Sequence, residues 1–242
     1  MVEVIPAILP KDLDDLRDKM SQISGRVPLV QIDICDGKFV PSKTWPYVKG
    51  GMDEFDRIKS EDEGLPFWDS LDFEIDLMIR NPEEVVFDWV MVGAKRLVLH
   101  LESAPDILDT IKKLRAEYGT AKEENFGLEI GVALDIKTSN EEVYKILDLK
   151  DEDGESIIDF VQFMGIDNMG FQGQEFNDQV LEKISDLRVL YSNIPISVDG
   201  GVNFDNAADL ISAGATHLIS GSAVFESGDI AKAINDLANA GE

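Results

Sequence analysis

The chain has 242 residues, of which 44% are hydrophobic and 29% are charged, and this composition is typical of a folded globular protein rather than a disordered or fibrous one. It carries 48 acidic and 22 basic residues, so its net charge is −26. This charge argues against nucleic acid and anionic membranes as partners, because most of the surface would repel them.

Short apolar runs alternate along the chain with amphipathic, charge-rich segments. The runs predict strands at residues 3–8, 28–34, 72–79, 95–101, 127–134, 157–164, 195–199 and 216–220. The segments between them predict helices at residues 13–23, 82–91, 105–118, 140–147, 174–191, 203–212 and 230–240. We therefore predict an α/β fold, a single-domain (β/α)8 barrel with eight parallel strands over residues 1–242. A doubly wound open sheet has the same periodicity and remains the alternative.

Cellular location is predicted from the start of the chain and from its single cysteine. The first residues, MVEVIPAILP, contain neither a basic segment nor a long apolar run, so no secretory leader is expected. Cys35 has no second cysteine to pair with, which fits a reducing compartment. We expect a cytoplasmic protein.

The piece between the second and third predicted strands, residues 38–71, is irregular. It contains Gly50 and Gly51 and at most a short helix at residues 52–58. Trp45 and Trp68 within it suggest either a lid or an aromatic anchor onto the barrel. We interpret this piece as an enlarged loop over the barrel mouth rather than as a linker.

Polar residues interrupt the apolar runs near the carboxyl ends of several strands, where barrels of this kind place their active sites. They include Gln31, Asp33, Asp76, His100, Glu102, Asp135 and Asp199. Asp33, in the run VQIDICDG, is the clearest case, because a buried carboxylate is costly unless its charge is needed. We interpret His100 and Glu102 as a buried pair that supports the site from below.

Glycine-rich turns follow the last three predicted strands. Glycine lets backbone N–H groups approach a bound phosphate closely, and the start of a short helix adds the positive end of its dipole. Three such turns at neighbouring strands predict a phosphate site, whose candidate residues are Gly170, Phe171, Gly173, Gly200, Gly201, Gly221 and Ser222. With so acidic a chain, these N–H groups would supply the local attraction for an anionic substrate.

Seven motifs resemble, in order and spacing, those of ribulose-phosphate 3-epimerases. They are PAIL at 6–9, QIDICDGKFVP at 31–41, DLMI at 76–79, HLE at 100–102, GFQGQ at 170–174, VDGGV at 198–202 and GSAVF at 221–225. The resemblance covers roughly Val4 to Leu237. It implies a TIM barrel that interconverts D-ribulose 5-phosphate and D-xylulose 5-phosphate. By this resemblance Asp33 and Asp199 are the acid/base pair and Met78 is a substrate-site residue.

The resemblance also implies a divalent metal, which the family binds through two histidines and two aspartates. Both histidine positions differ here, so the implied ligands are Gln31, Asp33, Asp76 and Asp199. An all-oxygen site favours Mg²⁺, Mn²⁺ or Ca²⁺ over Zn²⁺ or Fe²⁺. Without a cation, either one carboxyl group is protonated or Asp76 turns away, because like charges repel.

Other functions also fit the sequence. Ala7 stands where the family has a substrate-contacting serine, and with the changes at Gln31 and Asp76 this suits a non-catalytic phosphosugar-binding protein. An epimerase for a six-carbon ketose phosphate is a second alternative, and a barrel acting on phosphoribosyl intermediates of tryptophan synthesis is a third. In each case the expected partner is a small sugar phosphate. Family members are often homo-oligomers, but no residue pattern fixes a subunit number.

Overall fold

The computed structural model describes residues 2–120, 127–151 and 154–241, so the two ends of the predicted domain, residues 1 and 242, lie outside the described part. Eight parallel strands among the described residues close into a barrel in chain order. The strands are β1 (Glu3–Ile8), β2 (Leu29–Cys35), β3 (Asp72–Met78), β4 (Ala94–His100), β5 (Glu129–Leu134), β6 (Phe160–Met164), β7 (Ile196–Asp199) and β8 (His217–Ser220). The (β/α)8 prediction is confirmed.

Helices cover the outside of the barrel. They are α1 (Leu13–Ile23), α2 (Gly51–Lys59), α3 (Val86–Met91), α4 (Ile107–Tyr118), α5 (Asn140–Leu147), α6 (Gln179–Leu190), α7 (Ala207–Ala213), α8 (Ser222–Phe225) and α9 (Ile230–Ala238), with a 3-10 turn at Pro82–Glu84. In the described residues, none of these helices has both the length and the apolar character needed to cross a membrane.

Each strand is buried on both faces because helices pack outside it and side chains fill the barrel within. All seven residues of β2 are buried, Asp33 among them. Helix α1 shows how the outer layer forms: Leu13, Leu16 and Met20 share one face and are buried in the core. Asp12 caps this helix, since its side chain accepts a hydrogen bond from the Asp15 backbone N–H.

The enlarged loop is anchored onto the barrel by aromatic side chains. Trp45 is fully buried and packs edge-on against Phe55 of α2 and Trp89 of α3, with ring centroids 5.9 and 6.1 Å apart. Trp68 is 69% exposed and makes no comparable contribution to the core. The sequence suggested either a lid or an aromatic anchor, and Trp45 is an anchor.

Strand register brings the predicted site residues to one end of the barrel. Asp33 on β2 is level with Asp76 on β3, and Asp199 on β7 is level with Met164 on β6. Because all strands run in the same direction, their carboxyl ends meet at one mouth.

Candidate active site

Asp33 and Asp199 line one cavity at the carboxyl end of the barrel. They come from β2 and β7, which are separated in the barrel by β1 and β8. Both carboxyl groups are buried. The same cavity is lined by the other predicted substrate residues, which are Met78, Gly170, Phe171, Gly173, Gly200, Gly201, Gly221 and Ser222. The structure thus brings together residues that are up to 189 positions apart in the chain, from Asp33 to Ser222.

Gln31 lies beneath the cavity and bonds to both of these carboxyl groups. It is fully buried, and its Nε2 donates to Asp33 Oδ1 and to Asp199 Oδ2, each at 2.8 Å. Its Oε1 is buried and has no hydrogen-bond partner within the described chain. The nitrogen, rather than the oxygen, therefore faces two of the candidate metal ligands.

Asp76 points into the barrel and is held by two other buried side chains. His100 Nε2 lies 2.9 Å from Asp76 Oδ1, and Gln162 Nε2 donates to Asp76 Oδ2 at 2.9 Å. The alternative in which Asp76 turns away is therefore wrong. Glu102 does not pair with His100 as expected, because its Oε1 accepts hydrogen bonds from the Asp135 N–H and from the Thr138 hydroxyl.

The acidic groups of the site hold their protons more tightly than ordinary aspartates. Burial, followed by the charge of Asp76, raises the pKa of Asp199 to about 7. Burial and the charges of Asp199 and Asp76 raise the pKa of Asp33 well above its usual range. Two carboxyl groups with raised pKa values in one cavity are suited to exchanging protons with a bound molecule near neutral pH.

The glycine turns line the cavity wall next to the acidic pair. Gly200 and Gly201 have φ values of +97° and +71°, a conformation that L side chains rarely adopt. A Cβ on Gly221 would lie 2.8 Å from Gln172 Nε2 and 3.1 Å from the Ala7 carbonyl oxygen. Gly200 and Gly201 therefore favour glycine because of their backbone conformation, and Gly221 favours it because a Cβ would crowd the Ala7 carbonyl oxygen.

Three carboxylates in this site could hold a metal ion. Asp33, Asp76 and Asp199 each offer an oxygen, and these oxygens lie within 4.8 Å of one another. The donor set is all oxygen and buried, which fits a hard divalent cation. Gln31 presents its N–H groups to two of these carboxylates, so in this arrangement its oxygen does not join them as a ligand.

Gln162 was not among the residues singled out from the sequence. The signal was present, because a glutamine in the buried run FVQFM interrupts β6 just as Gln31 interrupts β2. That its amide meets Asp76 depends on which strands face one another inside the barrel, and the sequence does not show this directly.

A closed barrel of eight parallel strands with helices outside it is a TIM barrel. The acidic side chains lie at the carboxyl ends of its strands, where proteins of this class have their active sites. Solved structures share this fold. KGPDC from Streptococcus mutans matches with a TM-score of 0.65 at 16% identity, covering 99% of this chain and 96% of that one. 3-Hexulose-6-phosphate synthase from Salmonella typhimurium matches with a TM-score of 0.63 at 16% identity, covering 99% and 98%.

The chain belongs to the ribulose-phosphate 3-epimerase family, whose model matches residues 3–225. A ribulose-phosphate 3-epimerase from Bacillus subtilis is 30% identical over 244 residues, covering 98% of each chain. The chloroplastic ribulose-5-phosphate-3-epimerase from Arabidopsis thaliana is 31% identical over 242 residues, covering 97% of this chain and 75% of that protein. The resemblance found in the motifs is thereby confirmed, and the chain is a member of a family of sugar-phosphate epimerases.

Proposed function

We propose that this protein interconverts D-ribulose 5-phosphate and D-xylulose 5-phosphate by proton transfer at C3, with Asp33 and Asp199 as the two acid/base groups. One observation carries the proposal: these two buried carboxyl groups line a single cavity and come from β2 and β7, which have two strands between them. The names of the relatives support the substrate, since they are ribulose-phosphate 3-epimerases.

The reaction removes the C3 proton from one face of the sugar and returns a proton to the other. C3 is adjacent to the C2 ketone, so loss of its proton gives an enediolate. One ionised aspartate accepts the proton while the opposite aspartate, in its protonated form, donates its own to C3. The C3–H bond breaks, a new C3–H bond forms with inverted configuration, and the two groups exchange protonation states. In the reverse direction their roles are swapped.

The raised pKa values of Asp33 and Asp199 support the assignment of one as the proton donor and the other as the proton acceptor. An acid with an ordinary aspartate pKa would be ionised at neutral pH and could not donate. Because the pKa of Asp199 is raised to about 7 and that of Asp33 is raised well above its usual range, the pair can carry one proton near neutral pH. A singly protonated pair is the form that the reaction requires.

We assign the phosphate group to the backbone N–H groups of the three glycine turns. These turns follow β6, β7 and β8 and share the cavity with the aspartates. Backbone N–H groups that converge in a turn bind anions without a cationic side chain. With a net charge of −26, the chain would otherwise repel a phosphorylated sugar.

Asp33, Asp76 and Asp199 are the residues that would hold a divalent cation. When bound, such a cation supplies Lewis-acid stabilisation of negative charge on the substrate oxygens. The proton transfers themselves are assigned to Asp33 and Asp199, and Asp76 is assigned to supporting them.

The test is an epimerisation assay on D-ribulose 5-phosphate followed by NMR, using wild-type protein and the variant Asp199→Asn. Wild-type protein should produce D-xylulose 5-phosphate, and Asp199→Asn should not, although it stays folded. Asp205→Asn is the matched control, because this exposed aspartate lies in the same segment and does not line the cavity. Saturable binding of the sugar phosphate without conversion by wild-type protein would make the chain a binding protein instead. Parallel assays with six-carbon ketose phosphates identify the preferred substrate.

A further inference from the structure

The side chain of Gln31 joins the two aspartates of the cavity through a single atom. Its Nε2 lies 2.8 Å from Asp33 Oδ1 and 2.8 Å from Asp199 Oδ2. A primary amide carries two N–H groups, so one can be donated to each carboxyl group. A residue on β2 thereby reaches a partner on β7, 168 positions later in the chain.

The orientation of this amide follows from its partners. An amide nitrogen and oxygen have nearly the same shape, so the neighbours decide which of them faces a given group. A pair that shares one proton offers at most one O–H donor, so an amide oxygen in the same place could bond to only one of the two carboxyl groups, whereas the two N–H groups can be donated to both. The arrangement leaves Oε1 buried without a partner among the described residues, which is an unfavourable feature in a protein interior. All the hydrogen bonds that this side chain makes among the described residues thus come from its two N–H groups.

A bridge of this kind restricts both carboxyl groups at once. One oxygen of each accepts from the amide, so rotation of either group about its Cβ–Cγ bond would break a hydrogen bond. Each carboxyl group keeps a second oxygen that the amide does not occupy. Proton transfer is sensitive to such alignment, since a misplacement of about 1 Å can reduce a rate by about 100-fold.

We propose that Gln31 is a positioning residue for proton transfer, whose two N–H groups fix the directions of Asp33 and Asp199 relative to each other. The inference rests on the proposed function, because it assigns Gln31 a part in the same reaction. Gln31 does not touch the substrate in this account, and it acts through the two aspartates.

The barrel provides a matched control for loss of a buried amide. Gln162 is also fully buried and also has an unpartnered Oε1 in the described structure, but its amide bonds to Asp76. Asp76 keeps a second partner, His100, when that amide is removed. Methionine has nearly the length and volume of glutamine and no N–H group, so Gln31→Met and Gln162→Met make the same change at two places.

The experiment measures kcat, KM and the urea midpoint of unfolding for both variants, in EDTA and with added Mn²⁺. We expect Gln31→Met to lower kcat by about 100-fold and to change KM by less than about 3-fold. Both Gln31→Met and Gln162→Met should lower the unfolding midpoint, because each removes a hydrogen-bond donor from a buried carboxyl group, so the difference in kcat is not a difference in stability. Gln162→Met should lower kcat by less than about 10-fold. Equal losses in the two variants, or a Gln31→Met enzyme with kcat within about 10-fold of wild type, would overturn the inference. A loss confined to the Mn²⁺ assay would also overturn it, since it would make Gln31 a metal ligand.

A second measurement needs no variant in the barrel and no activity. In ¹⁵N-labelled wild-type protein, the side-chain N–H groups of Gln31 should exchange with solvent far more slowly than those of Gln22, which is exposed on α1. Exchange of both side chains at the same rate would contradict the bridge. If wild-type protein has no epimerase activity, the proposed function fails, and this measurement still decides whether the bridge exists.

Discussion

Nε2 of His100 lies 2.9 Å from Oδ1 of Asp76, and neither side chain is exposed to solvent. Burial alone would lower the pKa of His100, but the charge of Asp76 and its hydrogen bond outweigh burial, so the pKa of His100 is raised. A raised pKa favours the charged imidazolium, and this cation would lie directly against the Asp76 carboxylate. In the proposed mechanism the other two carboxyl groups, those of Asp33 and Asp199, share a proton.

The first prediction concerns this buried pair. His100→Leu should destabilise the protein by about 3–5 kcal/mol, because it leaves the Asp76 carboxylate buried without its cation. His217→Leu is the control, since His217 pairs with Glu3 at 3.3 Å and the Glu3 side chain is 42% exposed. A partly exposed pair of this kind contributes at most about 1 kcal/mol. Urea unfolding of both variants checks the difference, and equal losses would show that the buried pair has no special role in stability.

The second prediction concerns Glu74, a buried residue two positions before Asp76 on β3. Burial raises the pKa of Glu74 to about 7, although Arg96 Nε lies 2.8 Å from its Oε2 and lowers it. The folded state thus binds a proton that the unfolded state releases near pH 4.5. The stability that Glu74 contributes is present below that pH and is lost as the pH rises through about 7.

Glu74→Gln should remove this pH dependence. The difference in unfolding free energy between wild type and variant should change by roughly 3 kcal/mol over this pH range, with wild type relatively less stable at the higher pH. Urea unfolding at a series of pH values measures it. Parallel curves for the two proteins would show that Glu74 titrates alike in the folded and unfolded states.

The third prediction tests the glycine turn after β7. A Cβ on Gly201 would lie 2.9 Å from the Cα of Phe176, and the φ of +71° is unfavourable for alanine. Gly201→Ala should therefore raise KM for the sugar phosphate by at least about 10-fold and weaken inhibition by inorganic phosphate. Gly25→Ala is the control, since Gly25 has a φ of +75°, meets nothing within 4 Å and does not line the cavity. This control should lose about 1 kcal/mol of stability and keep its KM.

The fourth prediction is the pH dependence of activity. In the proposed mechanism the Asp33 and Asp199 pair carries one proton, and the pKa of Asp199 is raised to about 7. In EDTA, kcat/KM should therefore rise as the pH passes through about 7, when the first proton leaves, and fall at higher pH when the second leaves. A cation held by the three carboxylates would lower their pKa values, so Mn²⁺ should move the rising limb to lower pH. A rising limb in EDTA near the ordinary pKa of aspartate, about 4, would contradict the assigned protonation states.

Much of the fold could be predicted because strands that are buried on both faces consist of nearly continuous apolar residues. Each of the eight apolar runs forms a strand within about two residues of its predicted bounds, apart from the longer run that precedes β6. Helix starts were less predictable. Helix α6 begins at Gln179 rather than at 174, because the Asn177 N–H first bonds to the Gly165 carbonyl oxygen. Helix α7 begins at Ala207 rather than at 203, because the Asn206 side chain accepts from the Asn203 N–H and forms a turn.

The residues of the candidate site could be predicted from the sequence, but the hydrogen bonds between them could not. Single polar residues in apolar strands pointed to Gln31, Asp33 and Asp76. Which of them touch depends on side-chain length and on the closure of the barrel, and a linear pattern contains neither. The contact of Gln31 with Asp199 and that of Gln162 with Asp76 therefore emerged only from the structure.

Deuterium exchange at C3, measured in D2O for each pure epimer with Asp33→Asn and Asp199→Asn, probes the two-sided proton transfer most directly. If the two aspartates serve opposite faces, neither variant interconverts the epimers. Each should still exchange the C3 proton of one epimer, and the two variants should act on different epimers. Exchange of the same epimer by both variants, or interconversion by either one, would contradict the account.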